Sequence, residues 1–250
     1  MKPASASPPI RAADIARIAF DDRPSSLPLI DRVWRSHSEQ AGSFHSMAAC
    51  HWGIVVSRVA GETRLTVRGP ETRATLADCP ADGEWVGITF RPGSFLLPLP
   101  ATLLRDRNDV ALPALSAHSF LLDGSAWEYP GYENAETFVR QLLAKGLIAV
   151  DRCVQDLLED GDAPLSKRST QRRVLRTTGL TTVLHRQIGQ ARHAVSLLRS
   201  GRAIVEVAVE AGYFDQAHLT RALRRFVGQT PRQVARNEQQ LSLLYKTDDT

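Results

Sequence analysis

The chain predicts an α+β protein in two parts, a β-rich domain followed by an all-α domain, and three observations carry that expectation. From Ser43 to Gly93, short β-branched runs are broken by Gly, Pro and Asp. That is the rhythm of an antiparallel sheet curled into a sandwich or partial barrel. From Asn134 onward the apolar residues fall instead at the 3.6-residue spacing of amphipathic helices. Charge divides along the same line: residues 1–163 carry 16 Lys/Arg against 21 Asp/Glu, and residues 164–236 carry 14 against 3. These features divide the chain into a flexible leader over 1–20, a β-rich domain over 21–132, a connecting helix over 133–147 and an all-α domain over 148–250.

The composition narrows the setting. At 250 residues there is room for two modest domains, each with its own core. The longest apolar runs, WGIVV and SFLLPLPATLL, fall short of the roughly 20 residues of a membrane span, so no membrane partner is expected. Pro and Ser interrupt the amino terminus where a secretory signal needs an unbroken apolar stretch. The 3 cysteines, Cys50, Cys79 and Cys153, form no CxxC pair and suit a reducing cytoplasm.

Each element can be justified in turn. The expected strands are HWGIVVSRV, a turn at AGE, TRLTVRG, ETRATLA and EWVGITFRPG, followed by a loop-rich stretch over 94–131. ENAETFVRQLLAKGL places Phe138, Leu142 and Leu143 on one helical face, and IAVDRCVQDLLEDG does the same with Val150, Val154, Leu157 and Leu158. The polar run EDGDAP ends the second of these. Ser166 is positioned to cap a helix through KRSTQRRVLRTT, which Gly179 closes. Leu184, Ile188, Ala191, Val195 and Leu198 then mark a long helix that ends at Gly201 and would span roughly 28 Å. Thr230 and Pro231 supply a cap and a first-turn proline for a last helix, PRQVARNEQQLSLL.

The informative stretch is VEVAVEAGYFDQAHLTRALRRF. Gly212 would cost about 1 kcal/mol inside a helix, so it reads as the corner between two helices. Ala208 stays small at the crossing, Asp215 begins the second helix, and Leu219 leads its buried stripe. The opposite face then shows Gln216, Ala217, Thr220, Arg221 and Arg224. Amides, hydroxyls and guanidiniums are the groups that read base edges and phosphates, so the pair reads as a helix-turn-helix whose partner is double-stranded DNA. A generic helical corner with surface arginines would show the same apolar spacing. Against it stands a second basic helix upstream, with Arg168, Ser169, Gln171 and Arg172 on its exposed face. A linker helix holding the two about one DNA turn, near 34 Å, apart implies a site of about 20 base pairs per monomer.

At these residues the sequence resembles the AraC/XylS family of bacterial transcriptional regulators. The run IVEVAVEAGYFDQAHLTRALRRFVGQTPRQVAR follows that family's A...AG[FY], [DS]Q..[FL]..R and G.TP pattern, with Ala208, Gly212, Tyr213, Asp215, Gln216, Leu219, Arg221, Gly228, Thr230 and Pro231 in register. The likeness covers about residues 148–237, and SKRSTQRRVLRTTGL resembles the family's first recognition helix. One departure is LLEDGDAPLSK, which stands where the family usually has a tight turn into that helix. The resemblance implies two helix-turn-helix motifs joined by a linker helix. It also implies a cupin-like sensing and dimerisation domain ahead of them, a homodimer, a small-molecule effector and, for an activator, contact with RNA polymerase. It implies no enzyme activity and no cofactor.

Other residues invite chemistry. His45 and His51 flank Cys50, but six-residue spacing in a strand is poor for a shared metal ion. Cys50 with Cys79 would make a redox pair, and Cys50 alone the nucleophile of a thiol-dependent transferase. Trp52, Trp85, Trp127 and Tyr129 are either the lining of an aromatic pocket or simple core. A constitutive DNA binder without effector is the remaining alternative.

Overall fold

The computed structural model describes residues 18–107, 110–160 and 166–236. Its amino-terminal half is a sheet domain. Strands β1 (Ile18–Arg23), β2 (Ile30–Ser38), β4 (Gly53–Val59), β5 (Glu62–Arg68), β7 (Glu84–Phe90) and β9 (Val110–Ala111) form a six-stranded antiparallel sheet in the order β1-β2-β7-β4-β5-β9. Strand β3 (Gly42–Ser46) pairs with β6 (Thr75–Cys79), β8 (Ser94–Leu96) with β12 (Ile148–Val150), and β10 (Ser119–Leu122) with β11 (Ser125–Glu128).

The expected turn at AGE is a tight hairpin. Ala60 and Gly61, at φ 51° and 81°, join β4 to β5 with Val59 opposite Glu62. Two positive φ values match the twist of the flanking strands. The leader expected over 1–20 lies outside the described residues as far as residue 17, and its last three residues open β1. The stretch expected as loop over 94–131 instead holds β8, a short helix α1 (Ala101–Leu104), β9, β10 and β11. Asp123 and Gly124, at φ 49° and 72°, turn the last hairpin.

The connecting helix is present as α2 (Ala135–Ala144), with Phe138 and Leu142 buried as expected. The next segment splits: Ile148–Val150 pairs with β8, and only Arg152–Asp160 is helical, as α3. Val150 therefore lies on a strand, not on the apolar face of a helix. One core, built around Val33, Ile54, Leu65, Phe90, Phe120 and Leu142, fills the sheet domain.

The carboxy-terminal third is helical: α4 (Lys167–Thr178), α5 (Thr182–Arg199), α6 (Ile204–Glu210), α7 (Gln216–Phe226) and α8 (Pro231–Ala235). Several boundaries carry local capping chemistry. Ser166 and Thr181 accept from backbone N–H groups to cap α4 and α5, and Gly179 closes α4 at φ 73°. Thr230 and Gln233 form a reciprocal capping box with Pro231 in the first turn. The last helix was expected to run on through SLL; the part beyond residue 236 lies outside the described residues.

The second core contains Ile188, Ala191, Val195, Val207, Leu219, Leu223 and Phe226. Met47 and Ala48, from the sheet domain, are buried in it as well. The two halves are therefore joined by shared packing as well as by the chain between them.

Candidate nucleic-acid interface

Gly212 ends α6 in the conformation its identity requires. Its φ is 75°, its N–H donates to the Val209 carbonyl at 3.0 Å, and the Tyr213 N–H donates to the Ala208 carbonyl at 2.7 Å. This pair of reversed bonds is a Schellman closure. From the linker helix, Gln190 Nε2 donates to the Ala211 and Gly212 carbonyls at 2.8 and 2.9 Å, which fixes the corner to α5. Asp215 then caps α7 by accepting the His218 N–H at 2.6 Å.

With Leu219, Leu223 and Phe226 buried, α7 turns Gln216, Ala217, Arg221 and Arg224 to solvent. Thr220 is half-buried, and its hydroxyl donates to the Gln216 carbonyl at 2.8 Å. Ala208, Leu219 and Pro231 are buried where the corner and the last helix pack. Phe214, just before the cap, is 93% exposed.

Helix α4 exposes Arg168, Ser169, Gln171 and Arg172, and Ser169 also bonds to the Ser166 cap. Its inner side is held by Asp151, which accepts from Arg173 Nε at 2.6 Å and from the Thr177 hydroxyl at 3.5 Å. Asp151 raises the already high Arg173 pKa through that hydrogen bond. Helix α4 packs against α3 and also against α1 and β8 of the sheet domain. A Cβ on Gly179 would lie 2.7 Å from the Ala101 carbonyl oxygen, so the close of α4 sits directly on α1.

The sequence reading missed the linker helix as part of this surface. Arg186, Gln190 and His193 lie on one face of α5 and, with His218, Arg221 and Arg225 from α7, line an open groove of about 840 Å³. Their spacing of four and three residues is the signal that would have found them.

The other chemistry-bearing residues are part of the packing. Cys50 sits where the sheet domain meets α5, with its Sγ 3.9 Å from the His185 carbonyl, and burial pushes its thiol up to about 12. That is the reverse of the depressed pKa of a reactive thiol. Burial, reinforced by Arg192, lowers His51 to about 3. No metal-holding cluster of His, Cys, Asp and Glu occurs among the described residues. Cys79 is buried and free. Trp52 stacks on Phe90 with ring centroids 3.9 Å apart, Trp127 meets Phe138 edge-on and Tyr129 packs on Phe120. Trp52 belongs to the buried core, and Trp127 and Tyr129 are half-buried against it.

Among the described residues no helix is long and apolar enough to cross a membrane. A capped basic helix set on a glycine corner, with its polar face outward, is the arrangement that helix-turn-helix proteins insert into a major groove. A family model described as a helix-turn-helix domain matches residues 162–237. It is the AraC-type domain, so residues 162–237 are similar to the DNA-binding domain of AraC/XylS-type regulators. No curated protein and no solved structure matches the chain.

Proposed function

We propose that the protein reads a specific DNA sequence with two helix-turn-helix units, α7 entering one major groove and α4 the next. The carrying observation is α7: capped, pinned to α5 by Gln190, and exposing Gln216, Ala217, Arg221 and Arg224 opposite its buried stripe. Arg221 and Gln216 are the readers of base edges, since guanidinium and amide groups make bidentate contacts with purines. On α4 the exposed Ser169 and Gln171 are the readers, while Arg224 and the arginines of α4 give affinity through phosphates. At about 27 Å, the 18-residue α5 suits two readers on successive turns of one duplex face. In this reading the sheet domain packed behind α4 supplies support that the family's tight turn into that helix would give.

The amino-terminal half dimerises and takes a small effector in this reading, as the family resemblance implies. RNA polymerase is a further partner if the protein activates. A catalytic role for Cys50 is disfavoured by its raised pKa and its place between the two halves.

Competition binding of the full chain tests the proposal. A duplex enriched from a random pool should outcompete random duplex at physiological salt by at least about 10³-fold. Equal competition by both would overturn sequence-specific reading.

A further inference from the structure

We infer that the groove between α5 and α7 seats a phosphodiester strand of the bound duplex, with Gly189 as its floor. This rests on the DNA-binding reading above and adds the linker helix to the binding surface. Two independent observations meet there. The first is charge: the guanidiniums of Arg186, Arg221 and Arg225 line the groove, and no carboxylate does among the described residues. None of the ion pairs among the described residues engages Arg186, Arg221 or Arg225. The second is Gly189 itself. It lies in the middle of an 18-residue helix and is exposed, and a Cβ there would meet nothing within 4 Å. Neither packing nor a turn asks for glycine at that point, although glycine weakens a helix.

A glycine on an open cationic floor is what close approach of a bulky anionic chain asks for. A duplex lying along the exposed face of α7 carries its backbone past Arg221 into this groove. There Arg186 and Arg225 meet the phosphates from opposite walls, each guanidinium presenting a fork of N–H donors to phosphate oxygens.

The test uses the full chain and a fluorescent random-sequence duplex of about 40 base pairs, with binding followed against salt concentration. Arg186→Ala should lower the slope of log K against log salt by about 0.9, the value of one lost phosphate contact, without changing Tm. Gly189→Ala should raise Tm while weakening duplex binding, opposite signs that a merely structural glycine would not give. An unchanged slope in Arg186→Ala, with wild-type protein still binding the duplex, would overturn the seat and leave the DNA-binding reading standing. Wild-type protein that binds no duplex would overturn that reading, and the seat with it. If inorganic phosphate raises Tm through Arg186 while the duplex slope stays unchanged, the groove is a free-phosphate site and the duplex seat is wrong.

Discussion

The backbone N–H of Ala48 donates to the carbonyl of Phe226 at 2.8 Å, tying the sheet domain to the last residue of α7. Ala74 does the same to Arg225 at 2.8 Å. The last carbonyls of a helix have no partner within it, so two are here satisfied from the other half of the protein. The orientation of α7 is thereby coupled to the sheet domain through backbone hydrogen bonds.

Met47 completes the core beneath α7, so Met47→Ala should cost about 2 to 5 kcal/mol of stability. Urea unfolding followed by both near- and far-ultraviolet dichroism should show one transition moved to lower denaturant. Two separable transitions, with only the sheet domain weakened, would contradict the shared core.

The glycines that close helices should differ in tolerance. Gly179 and Gly201 have φ values of 73° and 86°, so alanine is strained at both, but only at Gly179 would the new Cβ collide with backbone, at Ala101. Gly201→Ala should cost on the order of 1 kcal/mol and Gly179→Ala clearly more. Thermal unfolding of the pair checks the order; equal losses would mean that α4 is not seated on α1.

Acid should loosen the junction between the halves. Burial lowers His51 from 6.5 to about 3 and His185 from 6.5 to about 4, so the folded protein favours the neutral imidazoles. Between those values and 6.5 the unfolded chain binds more protons, and stability falls as pH falls. It is fully present above about pH 6.5 and lost progressively toward pH 3 to 4. His51→Gln with His185→Gln should flatten the stability profile measured across that window.

Arg221→Ala should lose about 1 to 3 kcal/mol on a selected duplex and relax the preference at one base position. Titration on matched and singly mismatched duplexes separates the outcomes. A uniform loss on every sequence would make Arg221 a phosphate contact.

Asp215→Ala removes the cap that accepts the His218 N–H and should cost about 1 kcal/mol. Chemical denaturation measures it; no loss would mean that solvent satisfies the first turn of α7 equally well.

The carboxy-terminal helices were legible because their ends carry local chemistry. Ser166, Gly179, Gly212, Asp215 and Thr230 each act at the position where they stand in the chain. Strands β1 and β2 and the short elements over 94–131 were not read. Their pairing depends on distant partners, as in Val33 opposite Ile88, although Asp123-Gly124 did carry a hairpin signal. Ile148–Val150 shares an apolar run with α3 and becomes a strand only because β8 lies beside it. The exposed face of α7 followed from its buried stripe. The face of α5 did not, because Arg186 and His193 acquire meaning only when α7 is folded alongside. Nothing local marks Met47 and Ala48 as parts of the helical core.

Selection of duplexes from a random pool by the full-length protein tests the central claim most directly. The account predicts enriched sequences in which each protomer specifies two blocks whose centres lie about 10 base pairs apart, one for each of its recognition helices. Enrichment of a single block, or of none by folded protein, would contradict it.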